Sequence, residues 1–285
     1  HSVRNLYEHK YRIANYFNPL NQCSNSLKKI EAGMQDQEMW LNWPETKPNL
    51  SEKNVHVWRA SLVQPDTVLS ECRAMLSGDE KARADRFKFD KHRRRYTIAR
   101  GALRDILGRY LEIDAAQVVF EYEAHGKPKL AENQNSAGIV FNVSHSEEMA
   151  VYAITCGRAV GIDVEFVQRK ISDADKIAKR FFSQMESEAY LRLPHAQKQE
   201  AFFNCWTRKE AFIKAIGEGL THPLHRFDVS FIPGTTPALL ATRPDASEVA
   251  NWSLSAFTPA ENYVGALVVK GKYLKLKCWQ WEGIS

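Results

Sequence analysis

Apolar and polar positions alternate with a period of two in several short stretches of this chain and with helical spacing in two longer ones. Val55-His56-Val57-Trp58, Ile139 to Ser146, Val160 to Phe166, Trp252 to Phe257 and Tyr263 to Val269 read as strands. Ala201 to Ile216 carries aromatic and aliphatic residues at helical spacing and is stopped by Gly217 and Gly219. Ile98, Leu103, Ile106 and Leu107 interleave with Arg100 and Arg104, four residues apart, and predict a second amphipathic helix. Pro233 to Pro237 is a loop. Residues 1 to about 50 are polar, rich in Asn, Lys and Glu, and show neither period.

Some of these elements carry charge at apolar-rich positions. In Val160-Gly161-Ile162-Asp163-Val164-Glu165-Phe166 the two acids fall on one face and Ile162 and Val164 on the other. Two neighbouring carboxylates repel, and a hard divalent cation relieves that repulsion. A solvated edge-strand face is the alternative. On the predicted helix Glu210 and Lys214 are one turn apart, which fits a surface ion pair or a buried acid in need of a cation. Ser144 and His145 end an apolar strand and can hold phosphate oxygens or satisfy a local turn. Adjacent strand residues point opposite ways, so His145 is badly placed to activate Ser144, and a serine hydrolase is rejected.

The 285 residues, 44% of them hydrophobic, can bury one large core or two smaller ones. Between residues 81 and 104 ten Lys or Arg face two acids, Asp85 and Asp90, a local excess of eight that exceeds the formal +5 of the whole chain. Such a stretch suits nucleic acid, an acidic protein surface or a phosphate ligand, with a solvated helix face as the plain alternative. Cys23, Cys72, Cys156, Cys205 and Cys278 are odd in number and show no Cys-x-x-Cys, so neither a zinc site nor a disulfide framework is expected, and a reducing cytoplasm is. The apolar runs are too short to cross a bilayer and no basic-then-apolar signal opens the chain. His1 in place of Met points to trimming or an added leader.

The ordered set Asp79 to Phe87, His125-Gly126-Lys127-Pro128, Phe141-Asn142-Val143-Ser144-His145-Ser146, Gly161 to Glu165 and Trp206-Thr207-Arg208-Lys209-Glu210-Ala211-Phe212-Ile213-Lys214 resembles the 4'-phosphopantetheinyl transferases of the surfactin-synthetase-activating type. The resemblance covers roughly residues 55 to 280. It implies an α/β (α+β) fold built as a pseudo-twofold pair of similar α/β halves, with the active site in the cleft between them. No internal repeat is visible in the sequence itself. The expected division is a 1–54 N-terminal extension, a 55–158 N-terminal half and a 159–285 C-terminal half.

The implied reaction moves the 4'-phosphopantetheine arm of coenzyme A to a serine of an acyl or peptidyl carrier protein, releasing adenosine 3',5'-bisphosphate. By the same resemblance Asp163, Glu165 and Glu210 hold Mg²⁺, with Mn²⁺ as an alternative. Glu210 is the base for the incoming serine, directly or through water, and Lys214 steadies the phosphate. His145 contacts the pyrophosphate, joined by the backbone from Asn142 to Ser144. Arg83 takes the 3'-phosphate, and Tyr122 to Pro128, with His125, Gly126 and Lys127, form the adenine loop. Gly126 there permits a close backbone approach. The carrier is expected to dock on the segment after Glu210, beginning with Ile213 to Leu220. Neither nucleic acid nor membrane is an expected partner, and the two-half architecture suits a monomer.

Two other readings use the same residues. A Mg²⁺-dependent phosphodiester hydrolase would use three carboxylates and a lysine and act without a carrier. A non-catalytic protein that binds coenzyme A or a carrier would need Arg83 and the Gly-Lys-Pro loop but not the acids.

Overall fold

The computed structural model describes residues 40–42, 48–123, 126–219, 222–272 and 275–284. Two runs of elements follow one another in the same order. The first is β1 (Asn54–Ser61), α1 (Asp66–Met75), α2 (Gly78–Asp85), α3 (Asp90–Leu111), the hairpin β2 (Phe120–Tyr122) and β3 (Pro128–Leu130), then β4 (Ile139–Ser146) and β5 (Met149–Cys156). The second is β6 (Val160–Phe166), α4 (Ala174–Phe181), α5 (Gln184–Leu191), α6 (His195–Ile216), the hairpin β7 (Phe227–Val229) and β8 (Leu239–Thr242), then β9 (Trp252–Phe257) and β10 (Tyr263–Lys270).

Pairing repeats as well: β1-β5-β4 in one sheet matches β6-β10-β9 in the other, antiparallel throughout. This is the two-half α/β architecture, and the repeat hidden in the residues is plain in the topology. The last strand, β11 (Lys275–Trp281), crosses back and pairs parallel with β1. Residues 275–281 therefore sit in the first sheet although they follow the second half in sequence.

Alternation along the strands explains the layers. Val55, Val57, Val151 and Ala153 from the first sheet meet Val160, Ile162, Val164, Leu267 and Val269 from the second in one apolar core. Their neighbours in the sequence face the opposite side of each sheet and are buried there in turn. Trp58, Ala60, Tyr152 and Ile154 pack under α3, whose Ile98, Leu103, Ile106 and Leu107 supply the predicted apolar stripe, joined by Ala102. Ala266 and Val268 pack under α6 with Phe203, Ala211 and Phe212. Each fully buried Val, Leu or Ile contributes about 1.5–3 kcal/mol.

Gly161 lets α6 lie directly on β6, since a Cβ there would fall 2.0 Å from the Ala211 carbonyl oxygen and 2.4 Å from the Ala215 nitrogen. α6 begins at His195, six residues before the aromatic run that predicts it, with Pro194 at its N-cap. It ends at Gly217, which takes the left-handed conformation at φ 76°.

Residues 40–42 extend the first sheet. Leu41 bridges to Trp279 in parallel, its N–H donating to the Cys278 carbonyl at 3.0 Å while its own carbonyl accepts from Gln280 at 2.8 Å. Trp40 lies between the Arg59 guanidinium, 4.8 Å away, and the Phe257 ring, 6.3 Å away. Among the described residues no helix is long and apolar enough to cross a membrane.

Candidate active site

The two sheets meet edge to edge at β4 and β6, and side chains make that seam. Asn142, Ser144 and Ser146 alternate onto one side of β4 and are all buried. Asn142 Oδ1 accepts from the Ile162 N–H at 2.9 Å and Ser146 Oγ accepts from the Phe166 N–H at 3.1 Å. Ser144 Oγ donates to Asp163 Oδ1 at 2.7 Å and Ser146 Oγ to Glu165 Oε2 at 2.8 Å. The constant offset of about 20 residues means that β4 and β6 run in the same direction, with β4 supplying side-chain groups where a ladder would supply backbone.

Both acids are buried, Asp163 at 0% and Glu165 at 4% exposure, on the face of β6 predicted by its alternation. A buried carboxylate needs donors and counter-charge. Lys214 Nζ stands 2.7 Å from Asp163 Oδ1 and 3.0 Å from the Ile162 carbonyl. Arg169, in the turn after β6, places Nη2 3.2 Å from Glu165 Oε2. Each acid is thus held by one β4 serine and one cation. Glu210, one turn before Lys214 on α6, is also buried at 6% exposure.

Lys209 leaves the helix on another face and is wholly buried. Its ammonium meets Glu186 Oε2 at 2.7 Å and the carbonyls of Leu224 and Phe227 at 2.8 and 2.6 Å. Glu186 is itself the N3 residue of a capping box that opens α5, and its Oε1 accepts from the Val229 N–H at 2.8 Å. This knot fixes the rotation of α6, and with it the direction in which Glu210 and Lys214 leave the helix.

A second group gathers where α2, α3 and the β2-β3 hairpin meet. Arg83 lies 5.6 Å from the Tyr96 ring. Arg100 stacks 4.1 Å over Phe120, donates to the Tyr122 hydroxyl at 2.8 Å and pairs with Glu80. Arg104 also pairs with Glu80, at 2.6 Å. Burial pushes the Glu80 carboxyl up, but Arg100, Arg104 and the Ser77 N–H outweigh it and hold it below its ordinary value. Much of the basic stretch is matched by acids distant in sequence: Arg94 pairs with Asp66, and Arg95 with Glu147 and Glu148.

The loop that follows turns through Gly126 at φ 78°, closed by its N–H on the Glu123 carbonyl at 2.8 Å. Lys127 reaches across to the other half, donating to the Lys214 carbonyl at 2.8 Å and the Val160 carbonyl at 3.3 Å. Burial lowers its ammonium from the ordinary value, Glu123 opposes that shift, and the Lys214 charge adds to it. Pro128 opens β3.

Of the residues singled out in the sequence, the structure joins Ser144, Asp163, Lys214 and Lys127 in one connected chain, and links Tyr122 through Arg100 to the helices that carry Arg83. Asn142 engages β6 by its amide. His145 is half-buried on the opposite side of β4 from Ser144. His125 and Leu220 lie outside the described residues. Sequence reasoning missed the parts played by Ser146, Arg169 and the Lys209–Glu186 pair. Ser146 carried a signal, being two residues beyond Ser144 as Glu165 is two beyond Asp163, and Glu186 another, standing three residues after Ser183 as a capping box does.

Carboxylate oxygens are the donors a hard divalent cation takes, so the donor set of Asp163, Glu165 and Glu210 fits Mg²⁺ in kind. Among the described residues no three such groups converge as a ligand sphere. In this arrangement Asp163 and Glu165 are instead engaged by Lys214 and Arg169.

Comparison with known proteins matches residues 58–157 to the family model described as "4'-phosphopantetheinyl transferase, N-terminal" and residues 159–268 to the 4'-phosphopantetheinyl transferase superfamily. The 4'-phosphopantetheinyl transferase HetI of Nostoc sp. is 43% identical over 245 residues, 86% of this chain and 99% of that protein. The 4'-phosphopantetheinyl transferase Sfp of Bacillus subtilis is 30% identical over 156 residues, 55% of this chain and 66% of that protein. A solved holo-(acyl-carrier-protein) synthase from Bacillus anthracis in complex with coenzyme A is 20% identical with a TM-score of 0.32, covering 40% of this chain and 96% of that one. On the extent and identity of the match to HetI, supported by both family models, this chain belongs to the 4'-phosphopantetheinyl transferase family.

Proposed function

We propose that Asp163, Glu165, Glu210 and Lys214 are the groups with which this chain carries out the reaction of its family. The chain is an enzyme that transfers the 4'-phosphopantetheine arm of coenzyme A to a serine of an apo carrier protein, giving the holo carrier and adenosine 3',5'-bisphosphate. The observation that carries the residue assignment is the buried set in which Asp163 is held at once by Ser144 and Lys214. Burying a carboxylate and an ammonium together costs several kcal/mol in desolvation, which a purely structural pair of apolar residues would avoid.

In this reading the carrier serine oxygen bonds to the pantetheine-side phosphorus as the pyrophosphate P–O bond breaks, and the leaving phosphate takes the electron pair. Glu210 accepts the serine proton, directly or through water. Lys214, anchored on Asp163 and the Ile162 carbonyl, presents a fixed positive charge to the phosphates, where negative charge grows. His145 and the backbone of Asn142 to Ser144 contact the pyrophosphate. Arg83 takes the 3'-phosphate, and Tyr122 and Gly126 to Pro128 border the adenine, with His125 in the same loop.

Asp163, Glu165 and Glu210 would hold Mg²⁺ or Mn²⁺. Such an ion supplies charge neutralisation on the pyrophosphate. Docking of the acidic carrier on the segment after Glu210, beginning with Ile213, a monomeric state and a cytoplasmic site of action belong to the same proposal.

The test is intact mass spectrometry of apo acyl and peptidyl carrier proteins incubated with the chain, coenzyme A and Mg²⁺. A gain of one phosphopantetheine arm that EDTA abolishes supports the metal assignment. A gain that survives EDTA would overturn it. Cleavage of nucleotides without a carrier would instead favour a phosphodiester hydrolase.

A further inference from the structure

The two acids on β6 are held in parallel ways by unequal cations. Asp163 has Ser144 and Lys214, while Glu165 has Ser146 and Arg169. Lys214 projects from a 22-residue helix, is 16% exposed, and also donates to a backbone carbonyl. Arg169 stands in the turn between β6 and α4, is 27% exposed, and reaches Glu165 from only four residues away. Serine and guanidinium converge on one oxygen of Glu165, Oε2. A divalent cation at that carboxylate would meet the positive charge of Arg169 at close range.

We propose that Arg169 is the built-in counter-ion of Glu165, that it yields this position to a divalent cation by swinging toward solvent, and that it thereby sets the affinity of the acidic pair for metal. The inference rests on the reading of Asp163, Glu165 and Glu210 as metal-holding acids and adds a residue that reading does not contain. A carboxylate buried to 4% exposure needs a partner before the ion arrives. An arginine in a turn, more exposed than Lys214, can provide it and then leave into water, whereas Lys214 is held on its helix by Asp163 and the Ile162 carbonyl. Ser146 stays in place in either state, because its oxygen also accepts from the Phe166 N–H and so belongs to the β4–β6 seam.

The experiment measures Mn²⁺ binding to the full chain without coenzyme A, by the loss of the free-ion paramagnetic resonance signal, alongside thermal unfolding with and without Mn²⁺. Arg169→Gln removes a positive charge a few ångströms from the bound ion and is expected to tighten Mn²⁺ binding roughly tenfold. Its melting temperature should fall in metal-free buffer and recover with Mn²⁺, whereas Arg169→Lys keeps the charge and should stay near the wild-type affinity. In a Glu165→Gln background the Arg169→Gln effect should vanish, as coupling through that carboxylate requires. Unchanged or weaker Mn²⁺ binding in Arg169→Gln, with a wild-type affinity that Glu165→Gln measurably weakens, would overturn the proposal and leave the metal reading standing. A wild-type chain that binds no Mn²⁺, or an affinity indifferent to Glu165→Gln, would overturn both.

Discussion

Ser144 on β4 donates its hydroxyl to Asp163 on β6 at 2.7 Å, and this bond joins the two halves of the molecule at the acid proposed for its chemistry. The two residues lie in the two separate sheets, whose seam is made by side chains rather than a backbone ladder. The position of the acid therefore depends on how the halves are docked.

Lys127 tests that dependence from the other direction. Its ammonium leaves the hairpin loop of the first half and satisfies the Lys214 and Val160 carbonyls in the second. Lys127→Met should cost about 1–3 kcal/mol of stability by leaving those carbonyls without a charged donor, read as a lower urea midpoint. It should also lower kcat, because Lys214 shares the backbone turn that Lys127 holds.

The Lys209–Glu186 pair predicts a different pattern. Lys209→Met strands a carboxylate that is 1% exposed, and breaking such a pair by one partner costs about 3–5 kcal/mol. Glu186→Met alone should be similarly damaging, while the double variant should be less destabilised than the two single losses added. A double-mutant cycle by chemical denaturation checks this, and strict additivity would show that the two side chains do not act as a unit.

His56 makes stability depend on pH. It is wholly buried, with Nδ1 2.6 Å from the Tyr110 hydroxyl, and burial first, then the Lys277 charge, lowers its pKa from 6.5 to about 4. The unfolded chain therefore binds the proton more readily, and stability rises with pH across this range. The contribution is complete above about pH 6.5 and is lost as pH falls toward about 4, amounting to about 3 kcal/mol at 1.36 kcal/mol per unit. Denaturant unfolding at pH 7 and pH 4.5 should show this fall, and His56→Gln should flatten it.

Arg83 stands at the proposed nucleotide end. Arg83→Ala should raise the KM for coenzyme A with a smaller effect on kcat, since it would remove binding shared by ground and transition states. An unchanged KM, from steady-state transfer assays, would remove Arg83 from the 3'-phosphate role.

Period-two alternation made the seam partly legible in the sequence. It placed Asp163 and Glu165 opposite Ile162 and Val164, because burial on both faces of β6 leaves little freedom in register. Helical spacing and Gly217 located α6 and its end. The repeat was not legible, because it resides in the order and pairing of elements and not in matching residues. The pairings of Arg169 and Glu186 were not legible either, since a turn arginine and a capping glutamate look ordinary until folding brings them to Glu165 and Lys209. How the basic stretch is balanced was not legible, as its partners Asp66, Glu147 and Glu148 are distant in sequence.

The most direct test of the account is the single-turnover rate of phosphopantetheine transfer by Asp163→Asn, with coenzyme A affinity and circular dichroism measured on the same preparation. Asparagine keeps the shape and an acceptor for Ser144 while removing the charge. If Asp163 is the central acid, the rate falls on the order of 10³-fold while fold and coenzyme A binding persist. A rate near that of the wild type would contradict the assignment of the β6 acids to the chemistry.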